Sequence, residues 1–256
     1  MSGPKLKPSI IWVPGACHLP SHYKPCTDIL KSKGYRTITV RTASVRQTGP
    51  YPNGFSQDLG AIVSAILTEL DEGHDVILVM HSYGGMPGSA AVEGLLKSDR
   101  ELNGLAGGVI GLIYISSYVV DVGVNPMANG MGAPEEDQKS LVKIDEEGML
   151  LFVDPVAGFY HDVQKDAAQK AAESLQPFAA MTLNKEQTYA PWKHLPSIYI
   201  ICEDDKILLP AHQEAMASQE GGLWTVVRMK SGHSPFLSQP NELAAVIEQA
   251  VQNFTK

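Results

Sequence analysis

Short, continuously apolar segments alternate with helical segments along most of the chain, and this alternation limits the folds open to it. The predicted strands are Ser9 to Val13, Arg36 to Val40, Val76 to Met80, Val109 to Ile115, Ser197 to Cys202 and Trp224 to Met229. Most of them are apolar runs, and Arg36 to Val40 is marked by its β-branched residues. A strand that is apolar at every position is buried on both faces, as in a parallel sheet covered by helices on each side. The pattern therefore predicts an α/β fold with a mostly parallel sheet.

Helical patterns fill most of the intervals between these strands. They show helical spacing of apolar residues or runs of small residues, and their predicted bounds are Tyr23 to Ser32, Phe55 to Glu72, Tyr83 to Lys97, Ala211 to Gln219 and Asn241 to Phe254. Gly34 and Gly73 are predicted helix stops, and Ser56 is a predicted N-terminal cap. Helices between the strands would cover both faces of the sheet.

One segment interrupts the alternation. From Val119 to about Pro191 there is no strong strand pattern, only pieces spaced by Gly and Pro and a helical run near Asp166 to Leu175. Ligands bind beyond the carboxyl ends of parallel strands, so an insertion between two such strands is a candidate lid. We therefore predict a core made of residues 1–118 and 192–256, with a helical lid insertion at residues 119–191.

The stretch ILVMHSYGGMPGSAAV, from Ile77 to Val92, joins a buried strand to a run of small residues by a sharp bend. Such a strand–turn–helix exposes the hydroxyl of Ser82 at the end of the sheet, and small neighbours such as Gly84 and Gly85 let the helix approach the strands. The N–H of Tyr83 would then point to where an oxyanion forms. A serine that only caps a helix is the competing interpretation.

A nucleophilic serine needs a base and an orienting carboxylate, expected along the chain in the order Ser, acid, His. His233 follows the last predicted strand in the loop KSGHSPFLSQP and is the predicted base. For the acid, the loop EDDKILLP offers Glu203, Asp204 and Asp205, and Asp121 follows an earlier strand. We favour Asp205, because one helix and one strand fit between it and His233.

Four stretches carry a resemblance to a known family, and they read IIWVPGACHLPSHYKP, VILVMHSYGGMPGSAA, YIICEDDKILLP and KSGHSPFLSQP. They resemble the α/β-hydrolases, in the small-lid branch that includes plant methyl-ester esterases and hydroxynitrile lyases. The resemblance implies the α/β-hydrolase fold and an acid at the last carboxylate before a short apolar stretch and Pro, which is Asp205. It also implies a second oxyanion donor, the backbone N–H of Ala16.

The chain departs from that family at two places. The residue two before the nucleophile is usually small, and here it is Met80. The His-Gly pair before the oxyanion donor is Pro14-Gly15 here, which leaves the main-chain donor in place but removes a side chain that orders the loop. Met80 indicates that the turn is somewhat more open than usual, or packed differently, and we expect Gly15 and His18 to border the substrate.

These residues predict a serine hydrolase that cleaves a small or medium-sized carboxylic ester or lactone through an acyl-enzyme. Residues Tyr83, Phe159 and Tyr160 are further candidates for the pocket. Two alternatives remain open: a lyase or cyclase that uses the same triad as a proton relay, and a ligand-sensing receptor with this fold. The resemblance implies a Thr and a Lys in hydroxynitrile lyases where this chain has Gly15 and Ser234, which argues against cyanohydrin cleavage.

Composition limits the partners that we expect. The net charge of −8 argues against nucleic acid, because binding phosphates requires a basic surface. We see no secretory signal and no segment apolar enough to cross a bilayer, and the three cysteines suit a reducing compartment, so we expect a cytoplasmic protein without a membrane partner. The mechanism needs no metal or organic cofactor. The oligomeric state is left open, a homodimer included.

Overall fold

The computed structural model describes residues 6–46, 54–128 and 141–256. These residues form nine strands: β1 (Ser9–Val13), β2 (Thr37–Thr39), β3 (Val76–His81), β4 (Val109–Ile115), β5 (Val142–Ile144), β6 (Met149–Phe152), β7 (Phe178–Ala179), β8 (Pro196–Cys202) and β9 (Leu223–Met229). Six of them make one sheet in the order β2-β1-β3-β4-β8-β9, and every pair in it is parallel. The predicted α/β fold with a mostly parallel sheet is therefore confirmed.

The described helices are α1 (Lys24–Ser32), α2 (Gly54–Asp71), α3 (Gly85–Ala90), α4 (Lys97–Leu102), α5 (Pro155–Phe159), α6 (Lys165–Ser174), α7 (Pro210–Ala217), α8 (Pro235–Ser238) and α9 (Pro240–Phe254). Gly34 and Gly73 adopt φ of 80° and 82° just beyond α1 and α2, which confirms both predicted stops. Ser56 lies inside α2 rather than at its cap, so that prediction was wrong.

Alternate side chains of each central strand enter two different cores. In β1, Ile11 and Val13 belong to the core cluster that includes residues of α2 and α7, whereas Ile10 and Trp12 belong to the cluster that includes residues of α1 and α9. Both faces of the strand are therefore covered, and this explains why its residues are apolar without alternation.

The predicted helix from Tyr83 to Lys97 is shorter in the structure. A 3₁₀ turn begins at Ser82, α3 ends at Ala90, and Gly94 takes a φ of 72°. The chain then straightens, and Leu96 forms an isolated bridge with Val109 before α4 begins. The apolar residues Ala91, Val92 and Leu96 therefore join the buried core without continuing the helix, which a helical pattern cannot reveal.

The segment between β4 and β8 carries the elements that interrupt the alternation. Besides α5 and α6 it contains a separate antiparallel sheet in the order β5-β6-β7, so the expectation of an all-helical insertion was incomplete. Its strands are short, two to four residues, which is why no strong pattern marks them. Part of the proposed lid at residues 119–191 lies outside the described residues, and its role as a lid remains a prediction.

The strand order reverses direction between β1 and β3. The chain passes from β1 outward to β2, returns to β3, and then proceeds to the opposite edge. The carboxyl ends of strands beside such a reversal border a crevice in which open α/β sheets bind ligands. Within the described ranges, no helix has both the length and the apolar character needed to cross a membrane.

Candidate active site

The bend after β3 has the strained geometry that the sequence predicted. Ser82 adopts a φ of 52°, a left-handed backbone conformation that residues other than glycine rarely take. A Cβ at Gly84 would meet the carbonyl oxygens of Val13 and Pro14, and one at Gly85 would meet that of Tyr118. The two glycines therefore let the bend sit against the ends of the neighbouring strands.

Met80 does not crowd this bend. Its side chain is fully buried on the face of the sheet covered by α2 and α3. A Cβ at Gly88 would lie 2.6 Å from Met80 Sδ, so the thioether occupies the space that the glycine leaves in α3. The large side chain of Met80, before the bend, therefore fills the space that Gly88, in the helix after the bend, leaves by having no side chain.

Asp205 and His233 meet at the ends of β8 and β9. Their side chains are buried, and His233 Nδ1 lies 2.7 Å from Asp205 Oδ2. The other oxygen, Oδ1, accepts hydrogen bonds from the backbone N–H groups of Ile207 and Leu208 at 2.7 and 3.0 Å. Gln213 Nε2 lies 3.1 Å from Oδ2 and fixes that oxygen as well. Asp205 is thus held in one orientation toward the imidazole.

The other candidate acids lie elsewhere. Asp121 forms an ion pair with Lys193 at 2.5 Å on the surface, and this hydrogen bond lowers the pKa of the Asp121 carboxyl. Glu203 and Asp204 are exposed, and Glu203 lies 3.9 Å from Arg228. Of the four carboxylates considered, Asp205 alone contacts His233.

Ser116 is a site residue that the sequence analysis missed. It follows β4 with a φ of 39°, and its hydroxyl donates to Asp205 Oδ2 while lying 3.1 Å from His233 Nδ1. Asp205 Oδ2, which faces the imidazole, therefore accepts from Ser116 in addition to Gln213. Its position was the available signal. Ser116 directly follows β4, and β4 lies between β3, which leads to Ser82, and β8, which leads to Asp205.

His233 Nε2 is buried, and no described residue forms a hydrogen bond with it. Ser82 is 9% exposed, and its hydroxyl is not hydrogen-bonded to this nitrogen. The ring of His81, the residue before Ser82, lies 4.7 Å from the ring of His233, which brings the base to the elbow. Catalytic hydrogen bonds of this kind often tighten only in the substrate complex.

The loop after β1 approaches the elbow closely. A Cβ at Gly15 would lie 2.8 Å from His81 Nδ1 and 2.9 Å from Ser82 Cβ, so only glycine fits there without displacement. The backbone N–H groups of Ala16 and Tyr83 donate to no other described residue. Two unpaired donors on loops that converge beside Ser82 are the arrangement that an oxyanion hole requires.

His18 supports this loop instead of facing open space. It is fully buried; its Nδ1 lies 2.8 Å from the Ala16 carbonyl, and its Nε2 lies 3.0 Å from Tyr160 Oη. A carbonyl can only accept, so Nδ1 carries the proton and Nε2 accepts from the tyrosine. Burial keeps the pKa of His18 well below its ordinary value, which favours this neutral form.

The inserted segment also contacts the loop of the base. Asp162 Oδ2 accepts a hydrogen bond of 2.7 Å from the N–H of Gly232, the residue before His233. The ring of Phe159 lies 5.5 Å from the His233 ring. Phe159 and Tyr160 therefore pack against predicted site residues, and their place in a substrate pocket stays a prediction. Asp162 is a further neighbour that the sequence did not indicate.

The side chain of Tyr83 is anchored away from the elbow. Its hydroxyl donates to Asp58 Oδ2 at 2.8 Å, and its ring packs edge-on against Phe178 at 4.8 Å. Ser44 donates to the same carboxylate through its N–H and its hydroxyl. Burial raises the pKa of Asp58, and these hydrogen bonds oppose that rise. The network holds the backbone that carries the Tyr83 N–H.

Among the described residues, one group of side chains could bind a metal ion. It lies at the opposite end of β3 from the bend that carries Ser82. Glu69, Glu72 and His74 lie at and beyond the end of α2, before β3 begins. Arg36 binds both carboxylates, at 2.6 Å for Glu69 and 2.8 Å for Glu72. The guanidinium accounts for the closeness of these acids.

A model of the alpha/beta hydrolase family matches residues 10–246, which include every catalytic candidate described above. The chain belongs to the alpha/beta hydrolase family. The protein "Alpha/beta hydrolase nvfD" of Aspergillus novofumigatus is 36% identical over 248 residues, covering 96% of this chain and 97% of that protein.

More distant matches agree with this family. Methyl jasmonate esterase 1 of Vitis vinifera is 23% identical over 263 residues, covering 96% of this chain and 97% of that protein. A pyrethroid hydrolase from Sphingobium faniae JZ-2 shares the fold with a TM-score of 0.72 at 22% identity, covering 96% of this chain and 97% of that structure. The predicted superfamily, its plant esterase-like branch and the assignment as a hydrolase are confirmed.

Proposed function

We propose that this alpha/beta hydrolase cleaves a small or medium-sized carboxylic ester or lactone, with Ser82 as nucleophile, His233 as base and Asp205 as the orienting acid. The observation that carries the proposal is the buried 2.7 Å contact between Asp205 and His233. It fixes the imidazole with Nδ1 toward the carboxylate and leaves Nε2 to take a proton. Ser82 stands at the adjoining strained bend.

The reaction follows from these positions. His233 Nε2 accepts the Ser82 hydroxyl proton while Oγ attacks the acyl carbon, and the N–H groups of Ala16 and Tyr83 stabilise the oxyanion. Collapse of this intermediate expels the alcohol, which takes the proton back from His233, and an acyl-enzyme remains. Water then attacks the acyl-enzyme by the same steps, and Asp205 stabilises the imidazolium each time.

A cavity beside the oxyanion loop bears on the size of the substrate. This cavity has a volume of about 190 Å³ and lies between Cys17 and the inserted segment. Its other lining residues come from β6, α5, α6 and the start of the segment before β7: Leu151, Phe152, Pro155, Ala172, Leu175, Gln176 and Pro177. A space of this volume suits a modest substituent on the ester. The name of the Vitis vinifera relative, a methyl jasmonate esterase, also supports an ester of a small acid.

Turnover of a chromogenic ester tests the proposal. We expect release of p-nitrophenol from p-nitrophenyl butyrate by the unaltered chain and a loss of about 10³-fold or more in Ser82→Ala. The matched control is Ser98→Ala, which removes the same hydroxyl from the exposed start of α4 and should leave the rate unchanged.

Covalent labelling supplies an independent measurement. A fluorophosphonate probe should modify the peptide that contains Ser82, and His233→Gln should slow the labelling. A label on any other serine would contradict the assignment. Tight binding of an ester without release of alcohol would favour the ligand-sensing receptor, and elimination products without an acyl-enzyme would favour the lyase.

A further inference from the structure

A chain of hydrogen bonds crosses the site from the oxyanion loop to the loop of the base. Gly15 N lies 2.9 Å from Tyr23 Oη, Tyr23 Oη lies 2.9 Å from His81 Nδ1, and His81 Nε2 lies 2.9 Å from the carbonyl oxygen of His233. Tyr23 and His81 are fully buried. The chain uses none of the groups assigned to proton transfer.

The direction of every proton in this chain follows from its two ends. The Gly15 N–H can only donate, so the Tyr23 oxygen accepts there and directs its own proton to His81 Nδ1. The carbonyl of His233 can only accept, so His81 Nε2 carries the ring proton. His81 is therefore neutral, with its proton on Nε2 and its Nδ1 acting as acceptor.

The surroundings of His81 keep it in this form. Burial holds its pKa well below the ordinary value, and positive charge on His233, His18 or His22 would lower it further. The ring of Phe236, from α8, packs edge-on at 4.9 Å and the ring of Tyr23 at 5.9 Å, which excludes water. A proton on Nδ1 would oppose the donor of Tyr23.

Sheet geometry shows why such a link matters. The oxyanion loop follows β1 and the base loop follows β9, and β3, β4 and β8 separate these two strands in the sheet. The ladder hydrogen bonds therefore set their spacing only through three intervening strands. His81 ends β3, directly before the nucleophile, and its ring connects both loops at once.

We propose that His81 and Tyr23 are positioning residues that hold the oxyanion donor and the base in register across the nucleophile. This inference rests on the proposed function of Ser82, Ala16 and His233. His81 exchanges no proton with the substrate. It acts through the Gly15 backbone on one side and the His233 backbone on the other. A displacement of about 1 Å at either loop is expected to lower turnover by as much as 10²-fold.

Tyr23→Phe breaks the chain while keeping the ring. We expect kcat for p-nitrophenyl butyrate to fall by about 10- to 100-fold with KM changed less than threefold, because the transition-state contacts lose their alignment while the pocket remains. The matched control is Tyr114→Phe, which removes a fully buried hydroxyl bonded to Ser89 at 2.8 Å, away from the elbow. Its kcat should be unchanged.

A double-variant cycle tests whether the two side chains act as one link. His81→Phe removes both ring nitrogens at similar size, so it should lower kcat as Tyr23→Phe does. The double variant should be no slower than the slower single variant, since one chain is broken in all three. Losses that multiply would show two independent effects and would overturn the inference.

Nuclear magnetic resonance of protein labelled with ¹⁵N-histidine gives a readout that needs no turnover. Assigned in the unaltered protein through its bonded connection to the His81 backbone, the His81 signal should show an unprotonated Nδ1 and a protonated Nε2, unchanged from pH 8 to pH 5.5. A proton on Nδ1, or titration in this range, would overturn the inference in the unaltered protein even if a variant failed to fold. Full activity of Ser82→Ala would instead reject the proposed function and leave this measurement intact.

Discussion

The core loops and the inserted segment both contribute to the candidate site, but they do so by different means. The core supplies Ser82, Asp205 and His233 from the ends of three parallel strands, whose spacing the sheet determines. The insertion supplies single hydrogen bonds, from Tyr160 to His18 and from Gly232 to Asp162. The core therefore places the proposed reacting groups, whereas the insertion restrains the loops that carry them.

This comparison predicts a ranking of effects, with the largest in the core. Asp205→Asn should lower kcat by about 10³- to 10⁴-fold, because an amide cannot favour the imidazole tautomer that the carboxylate holds. Asp204→Asn changes the neighbouring, exposed carboxyl and should be silent. Ester turnover measured for both variants checks the acid assignment. Comparable losses in the two would contradict it.

The second effect concerns close approach within the core. Gly15→Ala places a methyl group 2.8 Å from His81 Nδ1 and 2.9 Å from Ser82 Cβ, so the oxyanion loop must move. We expect kcat to fall by about 10²-fold, since the donor at Ala16 shifts with it. Gly60→Ala is the control, because a Cβ there meets nothing within 4 Å in α2 and should only stabilise the helix.

The insertion should produce a smaller effect. Asp162→Ala removes the acceptor of the Gly232 N–H, and we expect kcat to fall by about 3- to 10-fold while the protein stays folded. Asp162→Asn, which keeps a carbonyl oxygen, should recover part of that rate, and Asp166→Ala controls for loss of a charge in the same region. A loss of kcat in Asp162→Ala as large as that in Asp205→Asn would contradict the view that the core places the proposed reacting groups and the insertion restrains their loops.

The smallest effect is on stability against acid. The pKa of folded His81 lies well below the ordinary value of 6.5, so below that pH the unfolded chain binds a proton that the folded chain does not. Stability is therefore lost as the pH falls, by about 1.4 kcal/mol per pH unit for each such histidine. We expect the free energy of unfolding, measured with denaturant at several pH values below 6.5, to fall less steeply with decreasing pH in His81→Phe, by about that amount per pH unit. An equal slope in both proteins would contradict a neutral His81.

The parts of the site that the sequence predicted are those with a local signature. Ser82 stands in a strand–turn–helix, and Asp205 and His233 each follow a buried strand, so their convergence follows from a parallel sheet. The core strands were predicted for the same reason, since continuous apolar runs appear directly in the sequence. Met80 looked anomalous because its partner, Gly88, is identified only by packing.

The groups that were missed depend on partners distant along the chain. Ser116 contacts Asp205 across 89 positions, Tyr23 contacts His81 across 58, and Asp162 contacts Gly232 across 70. No periodicity links such pairs, because each depends on how whole elements dock. The strands of the insertion were missed for another reason: two to four residues are too few to show an alternating pattern.

Among the described residues, the non-glycine positions with positive φ are Cys17, Ser82 and Ser116, and all three lie just beyond the carboxyl ends of β1, β3 and β4. Each such conformation costs about 1–3 kcal/mol. Unfavourable torsions are thus gathered at the rim where chemistry is proposed, while the opposite rim uses glycine where the chain turns left-handed, as at Gly34 and Gly73. Selection for thermal stability alone would first remove these strained torsions, and the resulting protein would be more stable but would turn over substrate more slowly.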